Sequence, residues 1–78
     1  MDIGIKKAMG CLVREIRKRQ KISQAELAAR CGFHPNTIHL LESGKNEPKL
    51  STLFFIVKGM NMDEQEFMSL LCEKYYAT

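Results

Sequence analysis

Along the first third of the chain, Ile5, Ala8, Met9, Leu12, Val13 and Ile16 return at three- and four-residue intervals. That spacing is one face of a helix, predicted over about residues 4–20. Gly10 falls inside it at a cost of about 1 kcal/mol against Ala, which points to close packing at that turn. Ser23 with Glu26 three residues later is a capping box, in which each side chain satisfies the other residue's backbone N–H. A second helix is expected from Gln24 to near Cys31, with Ala25, Leu27, Ala28 and Cys31 as its buried stripe. Gly32 then supplies the left-handed conformation a sharp exit needs.

Pro35 suits the first turn of a third helix, where a missing N–H costs nothing. His34 stands at its cap position, Ile38 and Leu41 face inward, and Gly44 ends it. A polar connection, Lys45-Asn46-Glu47-Pro48, leads to a fourth helix over about 50–59. Leu50, Leu53, Phe54, Ile56 and Val57 are available for burial there, with Ser51 assisting the start. Asp63 and Glu66 mark the start of a fifth helix over about 63–76. Phe67, Leu70, Leu71 and Tyr75 share one broad face of it, and Met68, Cys72 and Tyr76 fall beside that face. No segment alternates with period two long enough to be a strand. The expected fold class is all-α, a compact five-helix domain spanning residues 1–78.

Length and charge narrow the possibilities. A chain of 78 residues buries only about 60% of its surface on folding, which leaves little room for an enzyme cleft and favours a molecule that presents a surface. Residues 1–60 carry eleven Lys/Arg against five Asp/Glu, whereas residues 61–78 carry one against four. The basic part suits a polyanion, because phosphate contacts release condensed counterions. Cys11, Cys31 and Cys72 form no C-x-x-C pair, no secretory signal opens the chain, and no apolar run approaches the roughly 20 residues that span a bilayer. A reduced, cytoplasmic protein with no membrane partner is expected.

Two helices joined by about three residues with a Gly at the corner form a helix-turn-helix, here over about residues 23–44. The linked features S-Q-x-E-L-A, the Gly corner, I-x-x-L-E-x-G-K and P-x-L-x-T-L occur in "SQAELAARCG", "IHLLESGK" and "PKLSTL". Together they resemble the phage-repressor helix-turn-helix family, often called Cro/Xre-like, over roughly residues 9–60. The length and the closing "IVKGMNMDEQEFMSLLCEKYY" are similar to the small controller proteins of restriction–modification systems, which are dimeric regulators.

The resemblance implies roles residue by residue. Pro35, Asn36, Thr37, His39 and Leu40 would form the base-reading face, with Asn36 the best reader because a carboxamide grips adenine at N6 and N7. Ser23, Gln24, Ser43, Lys45 and Asn46 would meet phosphates and orient the protein without choosing sequence. Arg17 would pair with Glu42 and tie the first helix to the end of the third. The chain departs from the common pattern at Leu40, which cannot hydrogen-bond a base, and at Pro35, which removes a side chain that might read one.

One recognition helix reads only a few base pairs, so a homodimer on a (pseudo)palindromic operator is expected. Phe67, Met68, Leu71, Cys72, Tyr75 and Tyr76, on the acidic fifth helix, are the candidate dimer interface. The leading expectation is therefore a sequence-specific DNA-binding transcriptional regulator, with double-stranded DNA and a second copy as partners. The alternative is a protein-interaction module, such as an antitoxin-like partner. No cofactor is expected. His34, His39 and the cysteines lack the ligand spacing of a metal site, Cys31 reads as a small apolar residue, and no nucleophile–base pair or phosphate-binding glycine loop indicates an enzyme.

Overall fold

The computed structural model describes residues 4–77. Five helices follow one another, α1 (Ile5–Arg19), α2 (Gln24–Cys31), α3 (Pro35–Glu42), α4 (Leu50–Gly59) and α5 (Glu64–Tyr76), with no strand among the described residues. Their order and bounds match the apolar spacing to within one or two residues.

Local chemistry sets most of the helix ends. At α2 both halves of the capping box form: Ser23 Oγ accepts from the Glu26 N–H at 3.0 Å, and the Ser23 N–H donates to Glu26 Oε1 at 2.9 Å. These bonds hold the exposed Glu26 carboxyl below its usual range, the Ser23 backbone N–H contributing most. Gly32 closes α2 in the left-handed region at φ 77°, where a side chain would cost about 1–2 kcal/mol. His34 does cap α3, its Nδ1 accepting from the Asn36 N–H at 3.1 Å, so the ring proton of the neutral form sits on Nε2.

Two expected starts differ. α4 begins at Leu50 behind Lys49 with no side-chain cap, so Ser51 plays no part. At α5, Asp63 Oδ1 accepts from the Gln65 N–H at 3.4 Å rather than from the residue three ahead. Tertiary packing, more than capping, holds these two helices.

α1 lies at the centre, packed against α3 on one side and α5 on the other. α2 packs on α3 and α4, and α4 packs on α5. The core is one continuous cluster in which Val13, Leu27, Ile38, Ile56, Val57, Met60 and Phe67 are essentially fully buried. Each such side chain contributes about 1.5–3 kcal/mol by leaving water.

Gly10 has the role its position implied. A Cβ there would overlap the Leu41 carbonyl oxygen and press on the Glu42 backbone, so α1 and the end of α3 touch main chain to side-chain-free main chain. A second such contact was not anticipated. A Cβ on Gly59 would overlap Cys31 Sγ, so the thiol of α2 is seated on the bare end of α4. Burial raises the Cys31 thiol pKa, with Arg30 pulling weakly the other way. Cys31 thus packs as a small apolar residue.

Several burial expectations are corrected. Ala25 is exposed and Cys31 half-buried, and only Leu27 and Ala28 of α2 are fully buried. An eight-residue helix in a thin domain has room for little more than one inward turn of side chains. Leu50 and Phe54 are 67% and 45% exposed. Among the candidate dimer-interface residues, Phe67 and Leu71 are buried at 1% and 4% in the protomer's own core, and Tyr75 packs against that core. Phe67 and Leu71 are therefore not surface residues, because the inner stripe of α5 is what covers α1 and α4. Met68, Cys72 and Tyr76 point outward.

Candidate nucleic-acid interface

The geometry of α3 is set first by a polar lock behind it. Arg17, on the last turns of α1, meets Glu42 at the end of α3 through two parallel bonds, Nε to Oε2 at 2.7 Å and Nη2 to Oε1 at 2.9 Å. The two side chains are only 10% and 4% exposed. The third nitrogen, Nη1, donates to the Ile22 carbonyl at 2.8 Å, which fastens the α1–α2 connection to the same site. The bonds to Glu42 raise the Arg17 pKa further above its ordinary value against the opposing cost of burial. The planar guanidinium suits this forked geometry in a way an ammonium cannot.

Gln24 joins this lock. Its Nε2 donates to Glu42 Oε1 at 3.1 Å, so α1, α2 and α3 converge on one carboxylate. Glu42 is the acidic residue of α3, and its charge is neutralised inside the protein. The outer face of α3 is thereby left without a carboxylate.

That outer face comprises His34, Pro35, Asn36 and His39, all exposed, with Thr37 and Leu40 half-buried. Ile38 and Leu41 turn inward. Of the five residues singled out as base readers, Pro35, Asn36, His39 and Leu40 lie on the outward arc, whereas Thr37 falls on the flank beside Leu41. The side chains of Asn36 and His39 stand free of the core, whereas Thr37 and Leu40 lean on their surroundings.

A hollow lies on each side of α3. On the first, Arg14, Gln24, His39 and Ser43 line a recess beside the Arg17–Glu42 pair. On the second, Thr37, Lys45, Asn46, Glu47 and Lys49 line a recess that reaches Thr52 and Ile56 of α4. Arg14 on the first shoulder, and two lysines against one carboxylate on the second, leave α3 a ridge between two polar flanks of net positive charge. Gln24 and Ser43 fall on one flank and Lys45 and Asn46 on the other. Ser23 caps α2 at its exposed N-terminus, and its hydroxyl accepts from the chain. The Ser43 hydroxyl donates to the Leu40 carbonyl at 2.9 Å. Gly44, at φ 77°, turns the chain toward Lys45.

Two residues enter the site that are absent from the phosphate-contact candidates: Lys49 belongs to the second flank and Arg14 to the first. Arg14 stands three residues before Arg17, one turn along α1, and that register is the signal that points to it. Lys49 had no such signal, because the loop path brings it there. Among the described residues no group of three His, Cys, Asp or Glu is placed to hold a metal. No described helix is long and apolar enough to cross a membrane.

A short capped helix, a left-handed glycine corner and a second short helix standing proud of a helical core define a helix-turn-helix protein of the phage-repressor, Cro/Xre-like type. The chain belongs to the helix-turn-helix family, whose model matches residues 13–67. It is 24% identical over 76 residues to an uncharacterized HTH-type transcriptional regulator, y4dJ, of Sinorhizobium fredii, covering 97% of this chain and 99% of that one. The crystal structure of the restriction–modification controller protein C.Esp1396I superposes with a TM-score of 0.90 at 18% identity, over 95% of this chain and 96% of that chain. The same controller, as a tetramer in complex with its natural 35 base-pair operator, superposes at 0.87 and 18% identity over 91% and 93%.

Proposed function

We propose that this chain is a sequence-specific DNA-binding transcriptional regulator that acts as a homodimer on a (pseudo)palindromic operator, without catalysis of its own. The observation that carries the reading is the α3 ridge, uncharged at its crest and basic on both flanks. A major groove about 12 Å wide admits a helix, and its two phosphate walls then stand beside the two flanks. Asn36 reads a base edge, and His39 either a base edge or a phosphate. Leu40 contributes apolar contact, for which a thymine methyl is the matching group. Lys45, Asn46 and Lys49 meet one wall, and Arg14 and the second Nε2 hydrogen of Gln24 the other; the Ser43 hydroxyl joins them by turning from the Leu40 carbonyl. The operator complex of the controller protein that shares this fold supports the reading.

The test is selection from random duplex DNA, followed by binding across a salt series. A two-fold site with half-site centres about 34 Å apart is expected. Asn36→Ala should cost about 1–3 kcal/mol on the selected site and relax preference at one base pair, whereas Lys45→Ala should weaken all duplexes alike and reduce the salt slope by about one. If no duplex is enriched and none binds at low salt, the reading is wrong.

A further inference from the structure

The first turn of α3 is held by a side chain that can do so in only one charge state. His34 caps the helix, and its Nδ1 accepts from the Asn36 backbone N–H at 3.1 Å. An imidazole nitrogen accepts only while it keeps its lone pair, and both ring nitrogens are donors once the ring is charged. Ser, Thr and Asn, the common caps, accept whatever the pH. A histidine cap does not. Protonation turns the acceptor into an N–H aimed at another N–H. It also sets a positive charge at the helix end where the macrodipole is already positive.

The residue so held is the one on which base reading depends most. Asn36 is exposed and sits in the first turn, directly after Pro35. Pro35 has no N–H, and the Thr37 N–H is taken by the His34 carbonyl at 2.9 Å. His34 therefore anchors the start of α3 twice, and one of the two anchors depends on its ring. A helix of eight residues does not hold its shape by propensity alone, so a frayed first turn displaces the Asn36 carboxamide.

Nothing nearby replaces the bond once it is lost. At the α2–α3 corner, α2 brings Arg30 and Cys31 and α4 brings Lys58, and these line a hollow of their own. Arg30 donates to the Gly59 carbonyl, and Glu26 of α2 is engaged by Ser23. On the α1 side, Arg14 stands beside His39, and Glu42 is bound by Arg17. Among the described residues no carboxylate pairs with either histidine.

We infer that His34 is a positioning residue for base reading, and that its neutral ring ties discrimination at the Asn36 base pair to pH. The inference rests on the DNA-binding reading and adds a control to it. The neutral ring holds Asn36 and discrimination is high. The charged ring releases it and discrimination falls. Absolute affinity moves the other way, because a charged His34 or His39 attracts phosphate on every duplex. The ratio of affinities for two duplexes that differ at one base pair cancels that shared gain.

The test uses the full chain and two duplexes: the selected site, and the same site changed at the base pair whose preference Asn36→Ala relaxes. Imidazoles change charge between about pH 5 and 8, which sets the range to cover. The wild-type ratio should fall about fivefold from the top of that range to the bottom, the size of one cap. His34→Ser, whose hydroxyl caps without titrating, should keep the high ratio throughout. His34→Ala should show the low ratio at every pH. His39→Gln should retain the wild-type profile at this base pair, which assigns the profile to His34. Position 34 is exposed, so helical circular dichroism should be unchanged in the variants.

The free protein gives a second readout that needs no DNA. In long-range proton–nitrogen correlation spectra the neutral His34 ring should carry its proton on Nε2. The Asn36 amide resonance should move in step with the His34 titration and stay still in His34→Ser. A wild-type ratio that is flat with pH, a His34→Ser variant that keeps the wild-type profile, or an Asn36 amide indifferent to the ring would each overturn the inference. If no duplex is bound, the DNA-binding reading fails and takes the inference with it, even where the amide still follows the ring.

Discussion

α3 and α5 are both amphipathic helices packed on the same α1, yet they face the solvent in opposite ways. α3 is eight residues long, too short to be stable by itself. It is held by main-chain contact at Gly10 and by the Arg17–Glu42–Gln24 lock, and it exposes polar side chains. α5 is longer, has a fully apolar inner stripe, and exposes a second apolar stripe beside it. A reading helix needs rigid placement and an outward face without competing carboxylates, and a polar lock supplies both.

The sharpest way to break this contrast is to remove the lock. Arg17→Ala or Glu42→Ala leaves a buried charge alone and should cost about 3–5 kcal/mol in chemical denaturation. Replacing both, as Arg17→Met with Glu42→Leu, should recover much of that stability. If the double change is as harmful as the sum of the singles, the pair is not acting as a coupled unit. Gln24 would then also lose its partner, so DNA affinity should drop even where stability returns.

Gly10→Ala probes the other hold on α3. The obstructing atom is a backbone oxygen, which cannot swing aside, so α1 and α3 must separate. An overpacking cost of about 1–3 kcal/mol is expected, although Ala is intrinsically the better helix former. A neutral or stabilising result would show that the helices are not in main-chain contact.

The smallest effect is at the α2 cap, where Ser23→Ala should cost about 1 kcal/mol. Glu26 gives this cap a pH dependence of known sign. Its folded pKa lies below the ordinary carboxylate value, so its contribution is fully present above the unfolded range near about 4.3. It is lost as pH falls through the folded value. Glu26→Gln should therefore flatten the acid limb of stability slightly, as seen in thermal melts from neutral pH downward. A steeper acid limb in that variant would reverse the assignment.

The resemblance to the phage-repressor family marked Pro35, Asn36, Thr37, His39 and Leu40; helical spacing alone says only that they occupy the arc left outside once Ile38 and Leu41 turn inward. Arg17 and Glu42 are twenty-five residues apart, and nothing local joins them. It was the resemblance to the phage-repressor pattern that paired them, and the fold supplies the buried bidentate geometry. The six interface candidates on α5 were less legible. Their composition gives two adjacent apolar stripes, and one sequence cannot say which stripe the rest of the protein will cover.

What the amino-acid order determined by itself is local. Caps, glycine corners and apolar spacing act over three or four residues, and they set five helices and the rims of most of them. What only tertiary structure decided is which of two equivalent apolar faces is spent on the core and which cations gather beside α3. Lys49 reaches the ridge because Gly44 and the loop redirect the chain. Leu50 and Phe54 stay in water because α4 is seated on α2 through Gly59 and Cys31. Burial depends on how helices cross, and crossing is settled by contacts between residues far apart in the chain.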